Sequence, residues 1–155
     1  MENNKYFKVI NLKNGLSPNY LMNNFKRSDN FCACVKNSFG KSSIVIYSLE
    51  DLENDSTPPD MVEQKTIEWE SIDKECTHIN YLKINNNWYL IVGFIGQYEI
   101  YNEDGTKKYN FALSSDSAKQ ENNLMRACFL SSCVGYSQGE EYLVLGNSIG
   151  EIIQI

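Results

Sequence analysis

The segment from Trp88 to Phe111 constrains the fold more than any other part of this sequence. Bulky apolar residues run from Trp88 to Val92, stop at a glycine-containing break, and resume from Gln97 to Tyr101 before Asp104 and Gly105 interrupt them again. Glycine supplies the positive φ that tight turns need, and Asp followed by Gly suits a two-residue hairpin loop. The segment therefore predicts three short antiparallel strands joined by two tight turns.

The same arrangement of strand, bulky residue, glycine and strand occurs three times. Gly40, Gly96 and Gly150 are the turn glycines, and they are spaced 56 and 54 residues apart, which is in or just beyond the range of propeller and solenoid repeats. The repeat predicts three sheet units of up to four strands, the third without its fourth strand. The units cover approximately 18–70, 76–113 and 124–155, after a lone amino-terminal strand within 1–15.

Composition places the chain among ordinary globular proteins. Its 155 residues are 42% hydrophobic, enough for the core of one domain. No apolar run reaches the length of a membrane span, and the first eight residues are polar, so we expect a cytoplasmic protein with no membrane partner. The five cysteines form an odd set, and Cys32 and Cys34 point the same way from one strand, which favours reduced thiols over a disulfide framework.

The net charge of −6 is concentrated in one insertion. Residues 50–75 hold ten acids against two lysines, and an acidic balance argues against a nucleic acid as partner. A solvated loop is the preferred interpretation of this acidic cluster, and an electrostatic docking patch is the alternative. The candidate docking residues are Asp51, Glu53, Asp55, Asp60 and Glu63.

Residue types that carry chemistry do not combine into a recognisable catalytic or cofactor site. The cysteines and His78 contain no CxxC pair and no spacing of a zinc module. Ser131, Ser132 and Cys133 would have only His78 as a base, and a nucleophile needs an oriented base. The sequence therefore predicts neither an enzyme nor a bound cofactor or metal.

The strand and turn pattern resembles that of the WD-repeat β-propellers. The resemblance lies in Val92 to Gly96 followed by Tyr98 to Tyr101, and in its echo Val144 to Gly150 followed by Ile152 and Ile153. The chain looks most like the amino-terminal half of the family called WD-repeat protein fifty-four. The dipeptide of tryptophan and aspartate that names these repeats is absent, and its places are taken by Tyr47 with Ser48 and by Tyr101 with Asn102.

The resemblance implies an all-β fold of antiparallel four-stranded blades in an incomplete, half β-propeller with about three blades. It also implies a non-enzymatic scaffold that binds other proteins, including the remaining half of the propeller or an oligomer partner. In propellers an amino-terminal strand completes the last blade, and Lys5 to Ile10 suits that role. The alternative is a self-contained β-barrel or sandwich that acts as a small-ligand binder or an enzyme.

Overall fold

The computed structural model describes residues 25–38, 41–50, 64–69, 76–112 and 128–155, which contain eleven strands in three antiparallel sheets. The first sheet is made of four strands in chain order, β1 (Phe25–Arg27), β2 (Phe31–Ser38), β3 (Lys41–Ser48) and β4 (Gln64–Glu68). The second sheet is made of β5 (His78–Ile84), β6 (Asn87–Gly93), β7 (Gln97–Asn102) and β8 (Lys107–Ala112). The third sheet is made of β9 (Phe129–Ser137), β10 (Glu140–Asn147) and β11 (Ile152–Gln154).

Each sheet is a meander in which every strand pairs with the strand that follows it in the chain. The prediction of an all-β fold with antiparallel sheets of three or four strands is confirmed. The strands of the three sheets span residues 25–68, 78–112 and 129–154. The predicted strand at Lys5 to Ile10 and most of the one at 20–25 lie outside the described residues.

The turn between the first and second strands has the same form in the second and third sheets. Asn85 and Asn86 have φ values of 48° and 63°, and Gln138 and Gly139 have values of 52° and 86°. Two consecutive residues with positive φ make a type I′ turn, whose twist matches that of the flanking strands. These turns fix the register of the first hairpin in both sheets.

The turn at Asp104 and Gly105 is longer than the predicted two-residue loop. The backbone NH of Gly105 donates to the carbonyl of Asn102 at 2.9 Å, and the NH of Asn102 donates to the carbonyl of Thr106 at 2.8 Å. Gly105 has a φ of +80°, and a Cβ at this position would collide with Ile46 of the first sheet. The turn is therefore a three-residue loop that needs glycine both for its backbone and for packing.

The three sheets stack face to face, with the second sheet in the middle. One buried cluster joins the first and second sheets and another joins the second and third, so both faces of the second sheet are covered. The first cluster consists of Ala33, Val35, Ile44, Ile46, Trp69, Ile79, Tyr81, Leu90, Val92, Phe94 and Tyr101. The second consists of Ile91, Tyr98, Phe129, Leu143 and Leu145.

The first strands of the three sheets lie side by side. β5 of the second sheet contacts β1 of the first and β9 of the third. The stack therefore has one side formed by first strands, and the later strands of each sheet extend away from it. The far face of the first sheet carries a further buried cluster of Cys32, Cys34, Val45 and Tyr47.

Candidate interaction site

The turn between the first two strands of one sheet contacts the second strand of the next sheet. In the first sheet, Asp29 Oδ2 accepts hydrogen bonds from Trp88 Nε1 at 2.8 Å and from Lys83 Nζ at 3.2 Å. In the second sheet, the backbone NH of Asn85 donates to Glu141 Oε2 at 2.5 Å. Trp88 and Glu141 are each the second residue of the second strand of their sheets. The two interfaces therefore repeat one contact, with donor and acceptor exchanged.

A buried carboxylate anchors the first sheet to the second. Glu99 is fully buried, and it accepts hydrogen bonds from Trp69 Nε1 at 3.3 Å and from the Tyr101 hydroxyl. Lys107 Nζ lies 2.9 Å from the other carboxylate oxygen and forms an ion pair with it. Burial and the hydrogen bond with Glu99 raise the pKa of Tyr101, so its hydroxyl stays a donor. The paired groups satisfy a charge that would otherwise be costly to bury.

Trp69 also makes the main aromatic contact between these two sheets. Its ring packs edge to face against Phe94, with ring centroids 4.8 Å apart and an interplanar angle of 74°. This arrangement suits the charge distribution of aromatic rings. Trp69 thus fixes the edge of the first sheet through both its indole NH and its ring.

A polar seam joins β5 of the second sheet to β9 of the third. His78 Nε2 and Ser132 Oγ are 2.9 Å apart, and Asn80 Nδ2 donates to the carbonyl of Ser132 at 3.3 Å. Burial, and secondly the charge of Lys26, lower the pKa of His78 to about 4. His78 is therefore neutral at physiological pH and makes a neutral hydrogen bond between sheets.

The structure thus brings the single histidine to one of the three predicted nucleophile candidates. In the described part of the chain no carboxylate hydrogen-bonds to His78, so no acid orients its ring in the manner of a catalytic triad. A histidine whose pKa lies near 4 is also a weak general base at neutral pH. The geometry of the pair favours a role in holding the sheets together.

The second and third sheets approach most closely at Gly93. A Cβ placed on Gly93 would lie 2.8 Å from the Cβ of Phe129, so a larger residue would push the third sheet away. Phe129 also donates its backbone NH to the carbonyl of Phe94 at 3.3 Å, and its ring packs edge to face on Tyr98 with centroids 5.1 Å apart. Gly93 therefore allows β9 to begin directly against the second sheet.

The outer face of the third sheet repeats, position by position, the face of the second sheet that the third one covers. In the register of the strand pairs, four residues of the second sheet have an equivalent in the third. The pairs are Tyr89 with Tyr142, Ile91 with Val144, Gly93 with Gly146 and Tyr98 with Ile152. Tyr98 is 1% exposed, whereas Ile152 is 79% exposed. We call the face formed by Tyr142, Val144, Gly146, Ile152, Ser131 and Cys133 the open face.

The predicted turn glycines fall at three sites in the described residues. Gly96 lies between β6 and β7 with φ +74°, and Gly150 lies between β10 and β11 with φ +84°. Gly105 lies in the turn before β8. Gly40 lies outside the described residues, in the connection between β2 and β3. The candidate docking residues Asp51, Glu53, Asp55, Asp60 and Glu63 also lie outside them.

The remaining reactive groups are dispersed. None of the five cysteines forms a disulfide; Cys32 and Cys34 are buried, and Cys133 is exposed on the open face. Burial raises the pKa of Cys32 to about 11. Over the described ranges, no three His, Cys, Asp or Glu side chains are grouped so that they could hold a metal ion. Nor does any described helix have the length and apolar character to cross a membrane.

Sequence reasoning missed the groups that join the sheets. Glu99 carried a signal, since it is a charge within an otherwise apolar and aromatic strand that the repeat places inside a stack. The pairing of His78 with Ser132 and of Asp29 with Trp88 had no local signal, because the partners are 54 and 59 residues apart in the chain.

Comparison of the chain with protein-family models, with curated proteins and with solved structures gives no match. The structure defines the class of protein as an all-β protein with stacked antiparallel meander sheets. The resemblance to the WD-repeat propellers stays a prediction from the sequence.

Proposed function

We propose that this protein is a non-catalytic, cytoplasmic scaffold for protein–protein interactions, and that its three sheets are blades of an incomplete β-propeller. In a propeller, antiparallel sheets of about four strands pack face to face around an axis. The face-to-face stack, the adjacent first strands and the repeated contact of Asp29 with Trp88 and of Asn85 with Glu141 support this arrangement. A closed barrel would instead be one continuous hydrogen-bonded sheet.

The observation that carries the interaction function is the open face. Its residues are equivalent to those that the second sheet buries, yet Ile152 is 79% exposed and Cys133 is exposed as well. Exposed apolar surface on a sheet is typical of protein interaction sites. Among the described strands, β11 lies at an edge of the third sheet, and the backbone groups of Ile152 and Gln154 alternate with those that pair with β10 and so point away from it.

The test is a quantitative comparison of proteins that co-purify with the tagged full chain and with two variants. One variant carries Ile152→Lys on the open face, and the other reverses the charges at Asp51, Glu53, Asp55, Asp60 and Glu63. We expect at least one protein to bind the native chain and to be lost from one variant. Loss from the charge-reversed variant alone, at low salt, would support the docking patch in the acidic insertion.

The proposed scaffold function would be contradicted if the native chain co-purified with the same set of proteins as an unrelated bait protein. The alternative function, a small-ligand binder or enzyme on a barrel or sandwich, makes a different prediction. It expects a metabolite to raise the unfolding temperature of the native chain and of both variants equally.

A further inference from the structure

We propose that the outer edge of β11 binds an extended peptide segment of another protein, which pairs with β11 as a fourth strand of the third sheet. The segment is neutral or basic and has apolar side chains at alternate positions. This inference rests on the proposed function and names the kind of partner that the scaffold takes. Three features of the molecule support it: the backbone of β11, the neighbouring side chains of β8, and the charge of the chain.

The first feature is the hydrogen-bonding pattern of β11. Ile155 exchanges both of its backbone hydrogen bonds with Leu143 of β10, at 2.8 and 2.9 Å. In an antiparallel pair the backbone groups of alternate residues point to opposite sides of the strand. Ile152 and Gln154 therefore direct their NH and C=O groups away from β10. An extended peptide backbone has donors and acceptors at the same two-residue spacing, which a nucleic acid, a lipid surface or a helix does not.

This edge corresponds to one that is filled in the other two sheets. In the first and second sheets the third strand pairs antiparallel with a fourth, β3 with β4 and β7 with β8. β11 is the third strand of its sheet, and among the described strands none pairs with its outer edge. An incoming strand on β11 would therefore occupy the position that β4 and β8 occupy in their sheets.

The second feature is apolar surface that continues the interface between the second and third sheets. Phe111 of β8 stacks on Tyr98 with ring centroids 5.2 Å apart, and Tyr98 packs on Phe129 of the third sheet. Phe111 therefore lies on the face of the second sheet that the third sheet covers, and yet it is 39% exposed. Tyr109, two residues earlier on the same strand, is 59% exposed.

A fourth strand of the third sheet would cover this surface. Because β5 and β9 lie side by side and both sheets continue from them in chain order, that strand would extend on the same side as β8. Successive side chains of a strand point to opposite faces, so every second side chain of the segment would point toward the second sheet. Apolar side chains at these positions would bury the exposed aromatic surface of β8.

The third feature is charge. The chain has a net charge of −6, which repels an acidic segment. β11 itself contains only Ile152, Ile153 and Gln154, so it offers no basic side chain to pair with an acid. The segment that fits this edge is therefore neutral or basic.

The experiment uses a capped synthetic peptide that copies residues 106–112, which contain the fourth strand of the second sheet. This peptide has two lysines, no acid, and a tyrosine and a phenylalanine two positions apart. Amide hydrogen exchange is measured by NMR on the dilute full chain. Without peptide, the amides of Ile152 and Gln154 should exchange faster than that of Ile155, which donates to Leu143. Saturating peptide should slow the two fast amides by about tenfold or more.

Two matched pairs of controls separate strand pairing from simple contact between side chains. One peptide is N-methylated on its backbone at positions 108, 110 and 112, and the other at 107, 109 and 111. Only the peptide whose methyl groups face β11 should fail to bind. In the protein, Gln154→Pro removes one outward NH and should abolish binding, whereas Gln154→Ala keeps that NH and should bind like the native chain.

The proposal would be overturned if both methylated peptides bound equally or failed equally, or if saturating native peptide left the two amides unprotected. Slow exchange of Ile152 and Gln154 in the chain without peptide would also overturn it, because this chain or a second copy would then fill the edge. A protein partner that binds the native chain and Gln154→Pro alike, but is lost with Ile152→Lys, would overturn strand pairing and leave the proposed function intact.

Discussion

The second and third sheets have matching residues on matching faces, but the second is covered on both sides and the third on one. Ile91 of the second sheet is 1% exposed, and its equivalent Val144 lies partly open to solvent on the third. The second strands of both sheets, β6 and β10, carry apolar residues on both of their faces. The difference indicates that the residue pattern of each unit is suited to a place inside a stack, and that in the described part of the chain no sheet packs on the outer face of the third sheet.

The largest expected difference comes from truncating equivalent residues on the two faces. Ile91→Ala should cost about 2–5 kcal/mol of unfolding free energy, because it leaves a cavity between packed sheets. Val144→Ala should cost less than about 1 kcal/mol, because its side chain is partly solvated. Urea unfolding of dilute protein measures both. If Ile91→Ala and Val144→Ala lowered the unfolding free energy equally, the open face would have to be covered in the monomer, and the proposed difference between the two sheets would be wrong.

The second prediction concerns the buried carboxylate between the first and second sheets. Lys107→Met should cost about 2 kcal/mol, because it removes the cation paired with the buried Glu99 carboxylate, which must then either stay charged without a partner or take up a proton. Adding Glu99→Gln should recover part of that loss, which a double-mutant cycle measures as coupling. Lys83→Met is the control, since its partner Asp29 is exposed and its removal should change stability little. If the losses of unfolding free energy in Glu99→Gln and Lys107→Met simply added in the double variant, the two side chains would not be coupled, and the role of their ion pair in anchoring the sheets would be contradicted.

The strands could be predicted from the sequence alone, whereas the contacts between the sheets could not. The strands from Trp88 to Tyr101 were predictable because apolar runs and glycine breaks are local signals. The sequence marked Glu99 only as a charge within an apolar strand and did not show its partner, since Trp69 lies 30 residues away across a sheet interface. The loop at Gly105 was predicted one residue too short, because Asp104 caps the backbone NH of Thr106 and thereby stabilises a longer turn.

The third prediction concerns pH and the seam between the second and third sheets. The pKa of His78 falls from 6.5 to about 4 on folding, so between these values the unfolded chain binds a proton that the folded chain does not. Stability should therefore be constant above pH 6.5 with respect to this group and should decline as the pH drops toward 4. Because His78 is partly solvated, we expect a loss of about 1 kcal/mol.

His78→Gln separates this effect from the titration of carboxylates. Gln can still hydrogen-bond to Ser132 but does not titrate, so the difference in stability between the two proteins should depend on pH only in this window. A pH-independent difference would mean that His78 is not held neutral by the interface.

The smallest effect is expected at the hydroxyl of Tyr98. This oxygen is buried and finds no hydrogen-bond partner in the described part of the chain, and burial raises the pKa of Tyr98 to about 12. Tyr98→Phe should leave the packing on Phe111 and Phe129 intact and raise stability by up to about 1 kcal/mol. Thermal unfolding of the two proteins measures the change. Destabilisation would reveal a partner for this hydroxyl.

A nuclear Overhauser experiment on the dilute full chain tests most directly whether the second sheet is covered on both faces at once. A stack of three sheets predicts cross-peaks between the Trp69 and Phe94 rings and between Gly93 Hα and the Phe129 side chain in one sample, since both contacts are present in one molecule. Absence of either set in a folded chain would contradict the stack of three sheets, and with it the blade arrangement.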